Sequence, residues 1–104
     1  MKFSDPVPIA ERADTVYSIA IADMNGDGYA DIVLGNQQAP GAVLINDGTG
    51  RKFTRVRFGD GKGTVYGLAI GDVNGDGSPD IVAARSDAPS MLYLNSLVVK
   101  TVPR

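Results

Sequence analysis

The chain alternates large and small side chains over two short stretches, and each alternation predicts a β-strand. In the first stretch the large residues, Tyr17, Ile19 and Ile21, point to one face. Small residues, among them Ala20 and Ala22, point to the other. A period of two residues is typical of a strand. Because neither face is strongly polar, we expect neighbouring structure to cover this strand on both sides.

The same alternation returns 49 residues later as part of a longer internal repeat. Residues 15–34 and 64–83 are identical at 13 of 20 aligned positions. Further short runs rich in β-branched and apolar residues follow the first alternating stretch, over 31–35 and 42–45, and they are typical of strands. No stretch has the sustained period of a helix. We therefore predict an all-β protein made of two copies of one antiparallel unit.

A repeat of this length with about four strands per unit predicts the blades of a β-propeller. The first blade is predicted over 1–52 and the second over 53–104, each with four antiparallel strands. The first blade begins with an edge strand near 3–9, which contains two prolines and so cannot be central. Residues 52–58 and the apolar tail 97–102 are predicted outer strands. The alternative is a two-unit β-sandwich that arose by duplication.

An aspartate-rich loop follows each alternating strand. Residues 23–33 and 72–82 both read D-x-N-G-D-G-x-x-D-I-V, with oxygen-bearing side chains at loop positions 1, 3, 5 and 9. Ca²⁺ prefers such oxygen ligands, and glycine at positions 4 and 6 permits the positive φ that a tight loop needs. A metal-free turn also favours these residues. However, the carboxylates of one loop would repel one another without a cation, so the pattern predicts a Ca²⁺ site in each copy.

Composition removes several classes of function. The chain has no cysteine and no histidine, which excludes disulfides, zinc sites with thiolate or imidazole ligands, and the usual neutral-pH general base. A net charge of −2 without a basic run argues against nucleic-acid binding, and no apolar run is long enough to span a membrane. Paired carboxylates occur only inside the predicted metal loops. We therefore expect a protein that is not an enzyme.

The aspartate-rich loops differ from the EF-hand in one decisive position. An EF-hand loop needs a bidentate glutamate at position 12 and a helix on each side. Position 12 is Leu34 in the first loop and Ala83 in the second, and the flanking residues have strand-like patterns. The loops are therefore predicted to connect strands.

Three motifs together resemble the FG-GAP/VCBS repeat, the blade unit of integrin α-subunit-like β-propellers. They are the D-x-N-G-D-G-x-x-D-I-V loop, the preceding Ala-Ile-Gly-Asp, and the following Ala-Pro-Ser-Met-Leu-Tyr-Leu-Asn. The resemblance extends from about Phe3 to Asn95. It implies that each loop joins the first two strands of a blade and binds one Ca²⁺. The ligands implied are the side chains of Asp23, Asn25, Asp27 and Asp31 with the backbone oxygen of Tyr29, and the side chains of Asp72, Asn74, Asp76 and Asp80 with the backbone oxygen of Ser78.

The resemblance also implies a setting and partners. Family propellers usually have six to eight blades, whereas this chain has two, and two blades would leave broad apolar faces in water. We expect the chain to close a ring with copies of itself, as a trimer with six blades or a tetramer with eight. The alternative is an excised piece of a longer propeller, present as a domain-swapped or open assembly. An extracellular or cell-surface setting is implied, although the chain has no signal peptide. The alternative function is that of a carbohydrate-binding, lectin-like or cell-adhesion module, with a glycan or protein ligand.

Overall fold

The computed structural model describes residues 1–96, and these form two antiparallel β-sheets without a helix. The prediction of an all-β fold is confirmed. Within the described range, no helix has the length and apolar character needed to cross a membrane. The strands are β1 (Val16–Ala22), β2 (Asp31–Asn36), β3 (Gly41–Asn46), β4 (Phe53–Phe58), β5 (Thr64–Gly71), β6 (Asp80–Ser86) and β7 (Met91–Tyr93).

Sheet 1 has the strand order β1-β2-β3-β4, so each strand pairs with the next along the chain. The turn between β3 and β4 is organised by Asn46, whose side-chain oxygen accepts the N–H groups of Gly48 and Gly50 at 2.8 and 2.9 Å. This hairpin places β4 beside β3 as the outer strand. The two sheets therefore divide between Phe58 and Thr64, whereas the units predicted from the sequence divide between 52 and 53.

Sheet 2 has the order β5-β6-β7 and repeats the first three strands of sheet 1. A β-bulge interrupts the pairing at the same place in both sheets, between Val16 and Ser18 and between Val65 and Gly67. The described part of sheet 2 thus has three strands. The predicted fourth strand, over residues 97–102, lies outside the described residues.

The N-terminal segment corrects one prediction, because residues 3–9 form no strand. Pro6 and Pro8 have no N–H group, so this segment lacks two of the donors that a strand ladder would use. It lies instead across one face of sheet 1. Arg55 donates to the backbone oxygen of Ile9 at 3.0 Å, and the Ile9 side chain packs against the buried cluster that contains Leu44.

The two sheets pack face to face, and their contact forms the main hydrophobic core. Sheet 1 contributes Val33 and Val43 together with Met24 from its first loop, and sheet 2 contributes Ile81. The small side of β1, with Ala20 and its neighbours, borders this core. Small residues at this position let β1 and β5 approach closely, and the hydroxyl of Ser18 donates to the backbone oxygen of Val65 at 2.8 Å.

Strands β1 and β5 are each covered on one face within the chain, whereas the sequence predicts that both faces are covered. The large residues of β1 remain on the surface, with Ile19 and Ile21 exposed by 55% and 61%. Their repeat equivalents in β5, Leu68 and Ile70, pack against the core between the sheets. The difference arises because β5 has sheet 1 beside its large face, and no described element covers the same face of β1.

Candidate metal loops

The first loop curls around the carboxylate of Asp23. This carboxylate accepts hydrogen bonds from the backbone N–H groups of Gly26, Asp27 and Gly28 at 2.9, 3.3 and 2.8 Å. Asp27 in turn accepts the N–H of Tyr29 at 3.0 Å. The positive φ of Gly26 and Gly28, 77° and 89°, makes the curl possible, as loop positions 4 and 6 predict.

The second loop repeats this geometry closely. Asp72 accepts the N–H groups of Asp76 and Gly77 at 3.1 and 2.8 Å, and Asp76 accepts the N–H of Ser78 at 2.9 Å. The φ angles of Gly75 and Gly77 are 74° and 89°. Two copies with different neighbours therefore adopt one conformation, which means that the local sequence itself specifies the loop.

Backbone donors keep the first carboxylate of loop 1 ionised. The N–H of Gly28 makes the largest contribution and lowers the pKa of Asp23, with smaller help from the N–H groups of Gly26, Asp27 and Asn25. Desolvation opposes this shift without cancelling it. An ionised carboxylate accepts hydrogen bonds and also attracts a cation, so this residue suits either partner.

The aspartates at loop position 9 have a role that the sequence pattern does not predict. Asp31 is fully buried, and its two oxygens accept the N–H groups of Met24 and Asn46, both at 2.8 Å. Asp80 is equally buried and accepts the N–H groups of Val73 and Asn95 at the same distances. Each carboxylate therefore ties the start of its loop to the end of the third strand. Because each donor at the end of the third strand is a backbone N–H, which every residue except proline has, the recurrence of Asn46 and Asn95 does not by itself predict this bond.

The residues of the first loop fit a hard cation in part. The side-chain oxygen of Asn25 is buried and has no hydrogen-bond partner among the described residues, so it is an acceptor that a cation would satisfy. Asp23 and Asp27 lie on the same short loop and are accessible. However, no cluster of three or more acidic side chains has formed within residues 1–96. Both carboxylate oxygens of Asp31 accept hydrogen bonds from backbone N–H groups.

The two positions expected to contribute backbone oxygens differ in their surroundings. Tyr29 is half-exposed, and its ring lies against Gly48 of the hairpin in sheet 1. Ser78 is buried, and its hydroxyl oxygen has no hydrogen-bond partner in the described part of the chain. The atom that is buried without a partner therefore differs between the loops. It is the side-chain oxygen of Asn25 in the first loop and the hydroxyl oxygen of Ser78 in the second, where Asn74 is exposed.

A groove of about 340 Å³ separates the outer halves of the two sheets. Phe58 of β4 and Tyr93 of β7 meet there with ring centroids 5.1 Å apart and planes at 65°. Asn95 and Ser96 also line the groove. Aromatic and polar side chains therefore converge at the junction of the two sheets.

Comparison with known proteins identifies one family. The family model of the FG-GAP-like repeat matches residues 23–83, which is more than half of the chain and includes both aspartate-rich loops. No curated protein and no solved structure matches the chain.

Proposed function

We propose that this chain, which belongs to the FG-GAP-like repeat family, is a non-enzymatic, calcium-stabilised β-propeller module that assembles head to tail with copies of itself. One observation supports self-assembly above all others. Several apolar residues exposed on the outer side of each sheet are the repeat equivalents of residues that pack in the core between the sheets.

The outward face of sheet 2 is the first of two complementary apolar surfaces. We define it by Val73, Val82 and Leu92, which are exposed by 56%, 40% and 45%. Their equivalents 49 residues earlier, Met24, Val33 and Val43, are exposed by 5% or less in the core between the sheets. The outward face of sheet 2 therefore has the chemistry of a surface that is covered elsewhere in the same molecule.

The outward face of sheet 1 is the second of these complementary surfaces. We define it by Tyr17, Ile19 and Ile21, all about half-exposed or more. Leu68 and Ile70, the equivalents of the two isoleucines, pack against sheet 1 in the core. A second copy could thus place its sheet 1 on the sheet 2 of the first copy and repeat the contact already present inside the chain.

Repetition of one contact between unlike faces generates a ring when the rotation closes. Closure would cover the apolar residues that the outward faces of both sheets expose in a single chain. Three copies would give six blades and four copies eight. Light scattering during size-exclusion chromatography tests the proposal, with an expected mass of three or four times 10.9 kDa. A folded monomer at all concentrations would contradict it.

Calcium is proposed to occupy the loops through Asp23, Asn25 and Asp27 and their equivalents in the second copy. A bound cation would neutralise the neighbouring carboxylates and stabilise the folded state, because the unfolded chain does not hold these oxygens together. What supports this is the loop motif, the two accessible carboxylates and the unpartnered oxygen of Asn25.

Thermal unfolding with excess Ca²⁺ or with EDTA tests the metal proposal. We expect a higher midpoint with Ca²⁺, which Asp27→Asn and Asp76→Asn should each reduce. Mg²⁺ at the same concentration is the control for ionic strength, since it demands a smaller octahedral site and loses its waters reluctantly. Equal midpoints in Ca²⁺ and EDTA would contradict the proposal.

A second candidate function is carbohydrate or protein binding in the groove between the sheets. The observation that favours it is the meeting of Phe58 and Tyr93 with the polar residues Asn95 and Ser96. Aromatic rings beside amide and hydroxyl groups are suited to sugar rings, which present both C–H faces and hydroxyl groups. A glycan array tests this function, and a signal above background for one class of glycan is expected. An array without any signal would contradict carbohydrate binding.

A further inference from the structure

Met24 makes loop 1 part of the contact between the two sheets. Its side chain is 2% exposed and belongs to the core cluster with Ile81. Its N–H donates to Asp31, and its carbonyl oxygen accepts a hydrogen bond from the side-chain amide of Asn95 at 2.8 Å. Since Asn95 follows β7, this bond joins loop 1 directly to sheet 2. The shape of loop 1 and the packing of the sheets therefore depend on each other.

Val73 occupies the same position in loop 2 but lacks this contact. Its N–H donates to Asp80 at 2.8 Å, as the N–H of Met24 does to Asp31. Its side chain, however, is 56% exposed. The backbone of loop 2 is thus held in the conformation that presents an apolar side chain and a carbonyl oxygen to a neighbouring sheet. Within the described residues, no sheet lies there.

Asn46 is the repeat equivalent of Asn95, and it lies at the end of β3 in sheet 1. Its oxygen organises the hairpin turn, and its amide donates to the backbone oxygen of Ala30 at 3.0 Å. A side-chain amide has two N–H donors, so a second hydrogen bond from Asn46 is chemically possible without breaking the first. A neighbouring copy would bring its Val73 carbonyl to this donor, if the contact between copies repeats the contact within the chain.

We propose that loop 2 is an assembly contact for a second copy of this chain. The Val73 side chain packs on sheet 1 of the second copy near Ile32, the equivalent of Ile81, and the Val73 carbonyl accepts a hydrogen bond from Asn46 of the second copy. A cation in loop 2 then strengthens assembly, whereas a cation in loop 1 stabilises the packing inside one chain. This inference rests on the proposed self-association and cation binding.

Matched substitutions at Val73 test the contact. Val73→Gln places a neutral polar group in an apolar interface and should weaken association at least about tenfold, while Val73→Met, which copies loop 1, should strengthen it. Because the side chain is exposed in the single chain, neither should change its unfolding midpoint. The control is Val56→Gln, at a valine exposed by 36% on β4, which should leave association unchanged.

Analytical sedimentation measures the association constant of the wild type and of each of these variants. Wild type that associates as tightly as Val73→Gln would overturn the inference and leave the proposed self-association intact. Wild type that remains monomeric would overturn both. Unfolding of each variant under dissociating conditions separates a weakened contact from a damaged fold.

Substitutions in the two aspartate-rich loops test the inference independently of Val73. Asp76→Asn should remove most of the dependence of association on Ca²⁺ and reduce the Ca²⁺-induced rise in the unfolding midpoint of the dissociated chain only slightly. Asp27→Asn should mainly reduce that rise in the midpoint, because Met24 of loop 1 packs in the core between the sheets. Equal effects of the two variants on association would overturn the distinct role of loop 2. Loss of every Ca²⁺ effect in wild type would instead count against the proposed metal binding.

Discussion

Two buried aspartates decide how the loops connect to the sheets. Asp31 and Asp80 each satisfy two backbone N–H groups that would otherwise be buried without acceptors. Such a pair of hydrogen bonds to a carboxylate is stronger than bonds between neutral groups. The arrangement explains why the motif needs an acid at position 9 even before any cation is considered.

Asp31→Asn should destabilise the chain in the absence of calcium. The amide NH₂ would face a backbone N–H, so one buried donor would lose its acceptor, at about 1–3 kcal/mol of unfolding free energy. Urea unfolding in EDTA measures the loss. Asp27→Asn is the control, because Asp27 is exposed and accepts one loop N–H, and it should have a smaller effect. Equal losses for the two variants would contradict the bracing role.

Acid should weaken the ion pair between Asp60 and Arg85. A hydrogen bond from the N–H of Lys62 is the largest cause that lowers the pKa of Asp60 below its ordinary value, and the Arg85 guanidinium, 2.6 Å away, is the next. A lowered folded-state pKa stabilises the fold above that value, and the contribution is lost as pH falls through the folded pKa. Unfolding curves in EDTA at decreasing pH should therefore converge for wild type and Asp60→Asn. Parallel curves would count against this contribution.

At the scale of elements, the contact between sheets depends on small residues where β2 passes β5. A Cβ atom added to Gly35 would clash with the Ser18 hydroxyl and with the Val65 side chain. The equivalent position in sheet 2 is Ala84, on the outward face, where no described sheet presses against it. The requirement for glycine thus comes from the neighbouring sheet and not from the strand itself.

Gly35→Ala should destabilise the packing of the two sheets. Overpacking at a buried contact that cannot relax easily costs about 1–3 kcal/mol. Gly67→Ala is the matched control, since an added Cβ there would meet only the Ala84 Cβ at 3.8 Å, an ordinary contact distance. Chemical unfolding under dissociating conditions compares the two variants. A larger loss for Gly67→Ala would contradict the model of close approach at Gly35.

At the scale of the whole molecule, the chain presents two unlike apolar faces. The outward face of sheet 1 presents Tyr17, Ile19 and Ile21. The outward face of sheet 2 presents Val73, Val82 and Leu92, whose repeat equivalents lie in the core between the sheets. Unlike faces associate head to tail, whereas a face that pairs with itself produces a two-fold dimer. This difference makes the geometry of assembly testable.

A mixture of two variants should distinguish these geometries. Ile21→Glu disables the outward face of sheet 1, and Val82→Glu disables that of sheet 2. Each variant alone should be monomeric, because its remaining face lacks a complement, and the mixture should form one-to-one dimers through the two intact faces. Light scattering and native mass spectrometry measure the species. Dimers formed by either variant alone would contradict head-to-tail assembly.

Much of the fold could be predicted from local pattern. Alternation of large and small residues specified β1 and β5, and the duplicated motif specified two loops whose glycines have nearly equal φ angles in different surroundings. The family was evident from the same residues. These features depend on interactions among residues close in the chain, so the sequence carries them directly. The edge strand predicted over 3–9 failed, since an apolar run with prolines can pack on a sheet without joining its ladder.

Tertiary structure decided which chemically similar residues are buried. Met24 and Val73 have equivalent loops and backbone bonds, yet one is in the core and the other on the surface. The sequence determined the repeating unit, its strands and its acidic loops. The order of units in space determined which copy of each surface is covered, because burial depends on the neighbour that a face meets and not on the residues that compose it.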